Sequence, residues 1–579
     1  TSYRMRMDVG DAVQDYLSVE ALGDVFDFYI WSGTPREAMT AYGTLTGLPI
    51  FPPEWVFEPW AGGGGGRWRN GPLQDIALEQ MAAMKKFHEL DIPHSGFYAE
   101  GAGATFYGEY KKEELYKVVS FGERHGFKVF SWQFPNMTQE LAQELLPECP
   151  KEELPITRNK NDEEEKLPVY IDFSHPRAKE LLAAQWKDRM DAGIRGSMVD
   201  FGDVVPDEAV FYDGRRGDEM HNAYAYQYAK NYRELFEQKY GDDHVLYTRG
   251  AAPGSQHFAC QFGGDQLTSF QGLKYAIAGG LSAAASGLPF WGVDAGGYDG
   301  FPDQETYLRW TEYAAFCPLM RFHGTEPREP WEYDAFTVKV YRYYTWLREN
   351  LRPYIVSVAA EAHKLGIPMM RPLAMMYPED QEATKVWDEY LFGEDLLVAP
   401  VSDETEEREI YFPEGRWISL WNLNDEISGP VQRSVEVPID KIPVYIREGS
   451  FLPLRLNESL KLGESMSESE TEMILAVVPQ NDSIVKETLY ERSGAKTCCG
   501  MEKNGETIQL QISGRTAELY VMLAGIHWKS TEAIVNGRTL TKVTAREGLY
   551  FTEGYLELEE GILVKINPSA ESVIKIQKK

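Results

Sequence analysis

The sequence predicts an α/β fold: a (β/α)8 TIM barrel followed by C-terminal β-sandwich domains. Three observations carry this expectation. Between about residues 50 and 330, eight short apolar runs alternate with amphipathic stretches of helical periodicity, such as Ile76–Leu90 and Arg177–Ala192. That stretch has the ~250-residue size typical of such a barrel. After about residue 365 the texture changes to period-two alternation with turn signals such as Pro413-Glu414-Gly415 and Asn536-Gly537.

Taken in order, residues 1–24 are strand-like but too short for a domain, and read as a residual N-terminal strand segment. The barrel is assigned to residues 25–365. Its strands are expected in Trp55–Trp60, Ser95–Ala99, Lys128–Trp132, Ser197–Asp200, Val245–Thr248, Cys260–Asp265, Pro289–Asp294 and Leu319–His323. An insertion at about 135–167 separates the third and fourth, and its charged run Lys160–Lys166 reads as a solvated excursion at the barrel mouth. A proximal β-sandwich follows over 366–448. A distal β-domain over 449–579 begins at the Glu448-Gly449-Ser450 turn, ahead of the polar segment Asn457–Glu472. The competing architecture is an open doubly wound sheet, which normally carries a glycine-rich phosphate loop entering a helix after its first strand. Gly62–Gly66 follows the first run, yet GGGGGRWRNG is not that fingerprint and leads into Pro72, so it reads as a loop.

Composition narrows the function. Among 579 residues, 90 are acidic and 58 basic, a net charge of −32. Nucleic-acid phosphates would be repelled across most of such a surface, so no nucleic-acid partner is expected. No apolar run approaches the ~18 residues of a transmembrane helix, and no membrane association is expected. Five scattered cysteines argue against a disulfide framework and for a reducing, cytoplasmic setting. No CxxC pair or HExxH helix is present and the histidines show no ligand spacing, so no metal is expected. Aromatic residues make up 13%. Such density suits stacking against sugar rings, although large cores use aromatics too.

In a (β/α)8 barrel the functional groups sit at the C-terminal ends of the strands. Reading the residue at or just after each run yields Glu100, Trp132, Asp200, Arg249, Asp265, Asp294 and His323. Two carboxylates stand out. Asp200 follows an apolar strand in GSMVDFGD, and Asp265 ends the sixth run in FGGDQ. Two strands apart, they can face each other across a sugar-sized mouth. Glycoside cleavage uses that arrangement, one carboxylate attacking the anomeric carbon or activating water while the other protonates the leaving oxygen. Asp203, on the same loop as Asp200, reads better as a local cap or ion-pair partner.

These motifs also resemble a known family. GSMVDFGDVVPDEAVFYDG followed by Met220–Tyr228 (MHNAYAYQY), TRGAAPGSQHF, FGGDQLTSFQGL, GLPFWGVDAGGYDG and MRFHGTEPREPWEYD occur in the order found in glycoside hydrolase family 31, which holds α-glucosidases, α-xylosidases and sulfoquinovosidases. Tyr390–Val401 and Tyr411–Asn422 are similar to the family's proximal β-sandwich, and residues 24–55 to its lead into the barrel. The resemblance implies a retaining exo-α-glycosidase acting on a terminal α-linked sugar, an α-glucoside first and an α-xyloside next, with no metal or organic cofactor. It makes Asp200 the nucleophile and Asp265 the acid/base, with Arg249 keeping Asp200 ionised. Arg249, Arg321 and His323 would bind the ring, Asp294 would shape the pocket, and Trp132 joins the substrate-binding set. A transglycosylase or glucan lyase on the same two carboxylates remains open, as does a non-catalytic sugar-binding relative.

The sequence departs from the family pattern in four places. The second strand reads FYAEGAGATFYGEY, leaving Glu100 alone where the α-glucosidases carry an aspartate-rich segment. Phe262 stands where a tryptophan is common. The AGGGGGRWRNG loop is peculiar to this chain, and its Arg67, Trp68 and Arg69 are candidate ligand contacts, the arginines for an anionic sugar. The usual large N-terminal sandwich is not in the sequence. Expected partners are therefore a small sugar or oligosaccharide and, besides it, a homo-oligomer or a separate chain carrying that sandwich.

Overall fold

Eight short parallel strands close into a barrel in the computed structural model, which describes residues 5–9, 17–21, 27, 29–62, 73–102, 110–158, 169–466, 472–481, 484–515, 517–526, 528, 530–550, 552–569 and 571–578. They are β1 (Trp60–Gly62), β2 (Gly96–Tyr98), β3 (Lys128–Gln133), β4 (Gly196–Val199), β5 (Val245–Thr248), β6 (Cys260–Phe262), β7 (Trp291–Asp294) and β8 (Leu319–Phe322). Each pairs with its successor, and β8 returns to β1 with Arg321 opposite Trp60.

The first strand lies later than its apolar run suggests. Glu54–Phe57 forms a 3-10 turn whose Val56 and Phe57 are buried, and the strand starts only at Trp60, after Pro59. A proline has no N–H for a ladder, so the run's apolar residues are spent on closing the barrel from outside rather than on a strand. The Arg67, Trp68 and Arg69 expectations, and most of the glycine loop, fall outside the described residues.

Helices follow β1 (α1, Leu73–Glu89), β2 (α2, Lys112–Arg124), β3 (α3, Ala178–Ala192) and β4 (α4, Gly217–Tyr240). Others follow β6 (α5, Phe270–Ala285), β7 (α6, Gln304–Ala315) and β8 (α7, Ala335–Leu365). The β5–β6 connection carries only a 3-10 turn, Ser255–His257, because too few residues separate these strands for a full helix. α7 is capped at both ends. The Asp334 side chain accepts from the Thr337 N–H, and Gly366 takes the left-handed conformation past its C-terminus. In the insertion, Asn136–Met137 pairs with Val169–Tyr170, with a short helix Gln139–Leu145 between them. Its charged run lies outside the described residues.

The barrel is filled by aromatic rings. Trp60 packs edge-on against Phe130 (5.0 Å) and Tyr247 (5.8 Å), Tyr98 against Phe130 (5.5 Å), and Tyr247 stacks on Phe262 (4.8 Å). Gly96 makes this possible, since a Cβ there would lie 2.9 Å from ring carbons of both Phe130 and Trp60. Part of the high aromatic content is thus core packing rather than sugar binding.

The opening segment forms an antiparallel hairpin, Met5–Val9 with Leu17–Ala21. Beyond α7 an antiparallel six-stranded sheet runs from Met370–Pro372 to Val444–Arg447, including the long ribbon Glu407–Ser419 and Glu426–Glu436. It docks on the barrel through apolar residues such as Tyr390, Phe392 and Val398, which join the barrel's core, and through charged groups. Buried Arg309 of α6 donates to the Val437 carbonyl (2.7 Å), and Arg371 pairs with Glu361 of α7 (2.5 Å). Arg36, on the helix Pro35–Thr46, pairs with the same Glu361 and with Glu394. From Phe451 onward two further six-stranded sheets enclose a core that includes Leu475, Leu510, Val521, Val564 and Ile576. Among the described residues no helix is long and apolar enough to cross a membrane.

Candidate active site

Asp200 directly follows β4, and its N–H donates to the Gln133 carbonyl (2.7 Å), extending the β3–β4 ladder by one residue. It is 4% exposed, and its side chain is held on three sides. The Trp132 indole N–H donates to Oδ2 (3.0 Å), the Phe201 N–H donates to Oδ1 (2.8 Å), and Arg249 Nε lies 3.4 Å from Oδ1. Phe201 adopts a φ of 55°, an outlier for a bulky side chain. That turn swings its N–H back onto the preceding carboxylate and lays its ring beneath the Arg249 guanidinium, 4.2 Å away. A strained backbone beside a buried carboxylate is a mark of functional sites.

Burial pushes the Asp200 carboxyl above the usual carboxylate range. Arg249 opposes this most strongly, ahead of the Trp132 and Phe201 hydrogen bonds, and the charge of Asp265 adds to the upward push. Arg249 therefore lowers the pKa of Asp200 but does not reverse the effect of burial. It also pairs with Asp203 (3.4 Å), which is the local partner role read for that residue.

Asp265 lies three residues beyond β6 on an exposed turn. Its charge acts on both Asp200 and Asp294, so the three carboxylates share one electrostatic site. Asp294, the last residue of β7, and Arg321 of β8 are both 0% exposed and pair at 2.5 Å. Arg321 is walled by Tyr247 (4.9 Å), Tyr98 (5.2 Å) and Phe262 (5.5 Å). The pair lies beneath the mouth as a charged floor. Burial raises Asp294 to about 7, with Arg321 the largest opposing influence. His323, at the end of β8, packs edge-on against Tyr98 (4.4 Å) and near Tyr298 (5.6 Å). Trp132 is partly exposed beside Phe134. Glu100 opens a 3-10 turn at the end of β2, and its side chain is outside the described residues. The strand-end positions thus converge on one mouth.

Tyr98, Phe201 and Tyr298 also belong to this site, and the strand-end reading missed all three. Tyr98 was accessible to period-two reasoning, because it shares the inward face with Gly96. Phe201 and Tyr298 owe their places to loop conformation, which leaves no local pattern. Two clefts of about 640 and 580 Å³ lie on the C-terminal sheets, but no strand-end residue lines them.

Removing one partner of the floor pair has a predictable cost. Arg321→Met leaves a buried carboxyl without its cation and should destabilise the protein by about 3–5 kcal/mol in urea unfolding. The pH dependence has a definite sign. A carboxyl whose folded pKa is raised binds more protons folded than unfolded, so stability falls as pH rises from the ordinary carboxylate range toward about 7. Without Arg321 the window extends to higher pH, and the deficit should be larger at pH 8 than at pH 6. Adding Asp294→Asn should recover part of it. Equal stability of Arg321→Met and the parent would contradict the paired floor.

Comparison with known proteins gives a consistent picture. The profile of the Glycosyl hydrolases family 31 TIM-barrel domain matches residues 50–358, and that of the family 31 C-terminal domain matches 366–452. An isomaltosyltransferase of Sporosarcina globispora is 27% identical, covering 94% of this chain and 54% of its own length. An α-xylosidase of Emericella nidulans is 27% identical, covering 76% of this chain and 58% of its own. This chain therefore spans little more than half the length of these relatives. The solved structure of a Flavobacterium johnsoniae dextranase complexed with glucose superposes with a TM-score of 0.85 at 23% identity, over 100% of this chain and 77% of that one.

Proposed function

Because the chain belongs to glycosyl hydrolase family 31, we propose that it cleaves a terminal α-linked sugar with retention of configuration, an α-glucoside first and an α-xyloside next. The observation that supports this best is the asymmetry of two carboxylates at one mouth. Asp200 is buried and gripped by Trp132, Phe201 and Arg249, while Asp265 stands exposed on the turn after β6, close enough for its charge to act on Asp200. Two carboxyl groups in unlike surroundings suit unlike roles.

In the first step the Asp200 carboxylate attacks the anomeric carbon, and Asp265 gives its proton to the departing glycosidic oxygen. A covalent glycosyl ester on Asp200 results. In the second, Asp265 takes a proton from the incoming nucleophile, which displaces Asp200 and restores the original anomeric configuration. Arg249 stabilises the ionised Asp200 on which attack depends. His323 and Trp132 contact the ring, with Arg321 and Asp294 fixing the floor beneath it.

Transfer to a sugar hydroxyl instead of water is the second reading. It is favoured by the relative named as an isomaltosyltransferase, which aligns over nearly all of this chain. The two readings share the first step and differ in the acceptor.

The test is a panel of 4-nitrophenyl α-glycosides, followed by trapping with the 5-fluoro glycosyl fluoride of the sugar turned over. Peptide mass mapping should place the adduct on Asp200. An adduct on Asp203 would overturn the nucleophile assignment, and no release across the panel would overturn the glycosidase reading. Products formed in ¹⁸O-water with added sugar acceptors separate hydrolysis from transfer.

A further inference from the structure

Asp265 sits on an exposed turn, yet a general acid must hold its proton within hydrogen-bond reach of one oxygen. The residue after it supplies the restraint. Tyr298 N–H donates to the Gln266 carbonyl (2.8 Å), and the Gln266 side-chain oxygen accepts from the Asp294 N–H (3.3 Å). Leu267 bridges to Asp299, whose carbonyl also accepts from the Thr268 hydroxyl. The turn that carries Asp265 is thus laced to the loop 295–300 after β7.

That loop has left-handed backbone at Gly296, Gly297 and Gly300 and would be soft on its own. A side chain at Gly297 is excluded, since its Cβ would meet the Leu267 carbonyl at 2.6 Å. What holds the loop is Arg328, a 2%-exposed side chain from the segment after β8. Its Nε and one terminal nitrogen donate to the Gly297 carbonyl (3.1 and 2.7 Å), and the same nitrogen reaches the carbonyls of Tyr298 (3.2 Å) and Gly300 (2.8 Å). The other terminal nitrogen donates to the carbonyls of Glu326 (3.0 Å) and Pro327 (3.2 Å). Thr325 ties the two loops once more, its N–H donating to the Tyr298 carbonyl (2.8 Å) and its hydroxyl accepting from the Gly300 N–H (2.9 Å). Tyr307 fixes the Arg328 carbonyl (2.5 Å).

We infer that Arg328 is the positioning residue for Asp265: it locks the loop after β7 to the segment after β8, and the loop after β7 in turn holds the turn after β6 and so fixes where the proton is delivered. The inference rests on the proposed acid/base role of Asp265. A guanidinium suits the task because its planar fork presents five N–H donors in fixed directions. Lysine keeps the charge but gathers its donors on one nitrogen and cannot span carbonyls from Gly297 to Pro327. Arg328→Lys should therefore loosen the Asp265 turn without removing the local positive charge.

The experiment compares the full chain with Arg328→Lys and Asp265→Asn on two probes made from the sugar the parent turns over, the α-glycosyl fluoride and the methyl α-glycoside. Fluoride departs with little protonation, whereas methanol needs a full proton. Arg328→Lys should lower kcat/KM, which reports the first step alone, by about 10- to 100-fold on the methyl glycoside and by less than about 3-fold on the fluoride. A merely structural role would lower both probes alike, in proportion to the folded fraction, and that result would overturn the inference. So would equal activity of variant and parent. If Asp265→Asn itself fails to discriminate between the probes, the acid/base reading fails and the inference with it. If Asp265→Asn discriminates and Arg328→Lys does not, the inference alone fails.

Discussion

Asp200→Ala is expected to lower turnover by on the order of 10⁴-fold or more, on activated and unactivated substrates alike. Both substrate classes need the covalent bond to Asp200, so a better leaving group brings no rescue. The fold should survive at some cost, because the alanine leaves the partly buried Trp132 indole N–H and Phe201 N–H without their acceptor, worth about 1 kcal/mol for each. Asp200→Asn keeps an acceptor of the same shape and is the better control for folding. Azide, a small anion that needs no base, should enter the space left by alanine and give a glycosyl azide of inverted configuration. The pH profile supplies a second check. Attack needs the ionised carboxylate, so kcat/KM should fall on the acid side as Asp200 protonates. Arg249 is the main influence holding that pKa down, and Arg249→Met should move the acid limb to higher pH. An unmoved acid limb would show that another group controls it.

Asp265→Asn is expected to act selectively. Substrates with alkyl or sugar leaving groups should slow by about 10²- to 10⁴-fold, while glycosyl fluorides should keep most of the first step. The second step also loses its base, so the glycosyl ester on Asp200 should accumulate with activated substrates and appear as a burst of the released leaving group. Azide should then speed turnover of Asp265→Ala with retained configuration, the opposite stereochemistry to that expected for Asp200→Ala. Damage of equal size on every substrate would make Asp265 structural.

Much of the barrel was legible because its strands are short apolar runs fixed between longer amphipathic helices. β5 is the plainest case, the run Val245–Thr248 being the strand itself. β1 was misplaced because a run of apolar residues marks burial, not strand. Val56 and Phe57 are buried as intended, but from a 3-10 turn, while the strand contains Ala61 and Gly62, which carry no β signal. The missing β5–β6 helix, by contrast, was legible in the short spacing between Thr248 and Cys260.

The candidate site divides along the same line. Asp200 and Asp294 sit at or beside the ends of apolar strands, where local pattern suffices to find them. Arg328 and Gln266 sit in loops whose partners lie about thirty residues away in sequence. An arginine in TEPREPW reads as a solvated charge, and only the folded chain shows that backbone carbonyls surround it. Phe201 is similar, since no sequence pattern announces a left-handed phenylalanine.

The rings of Trp60, Tyr98, Phe130, Tyr247 and Phe262 block the barrel axis below the mouth. Such a vessel has one door. In the proposed reaction, a sugar therefore reaches and leaves Asp200 on the same face of the barrel. What leaves must pass what arrives. For a glycosyl ester formed on Asp200, the departing portion of the substrate stands in the doorway and shields the ester until it diffuses away. Its dwell time there sets the order of events: a sugar that lingers is well placed to be glycosylated again, and one that departs promptly admits water. The choice between hydrolysis and transfer then becomes a matter of traffic at the entrance, governed by how firmly the rim grips the leaving sugar, with the same two carboxylates serving both.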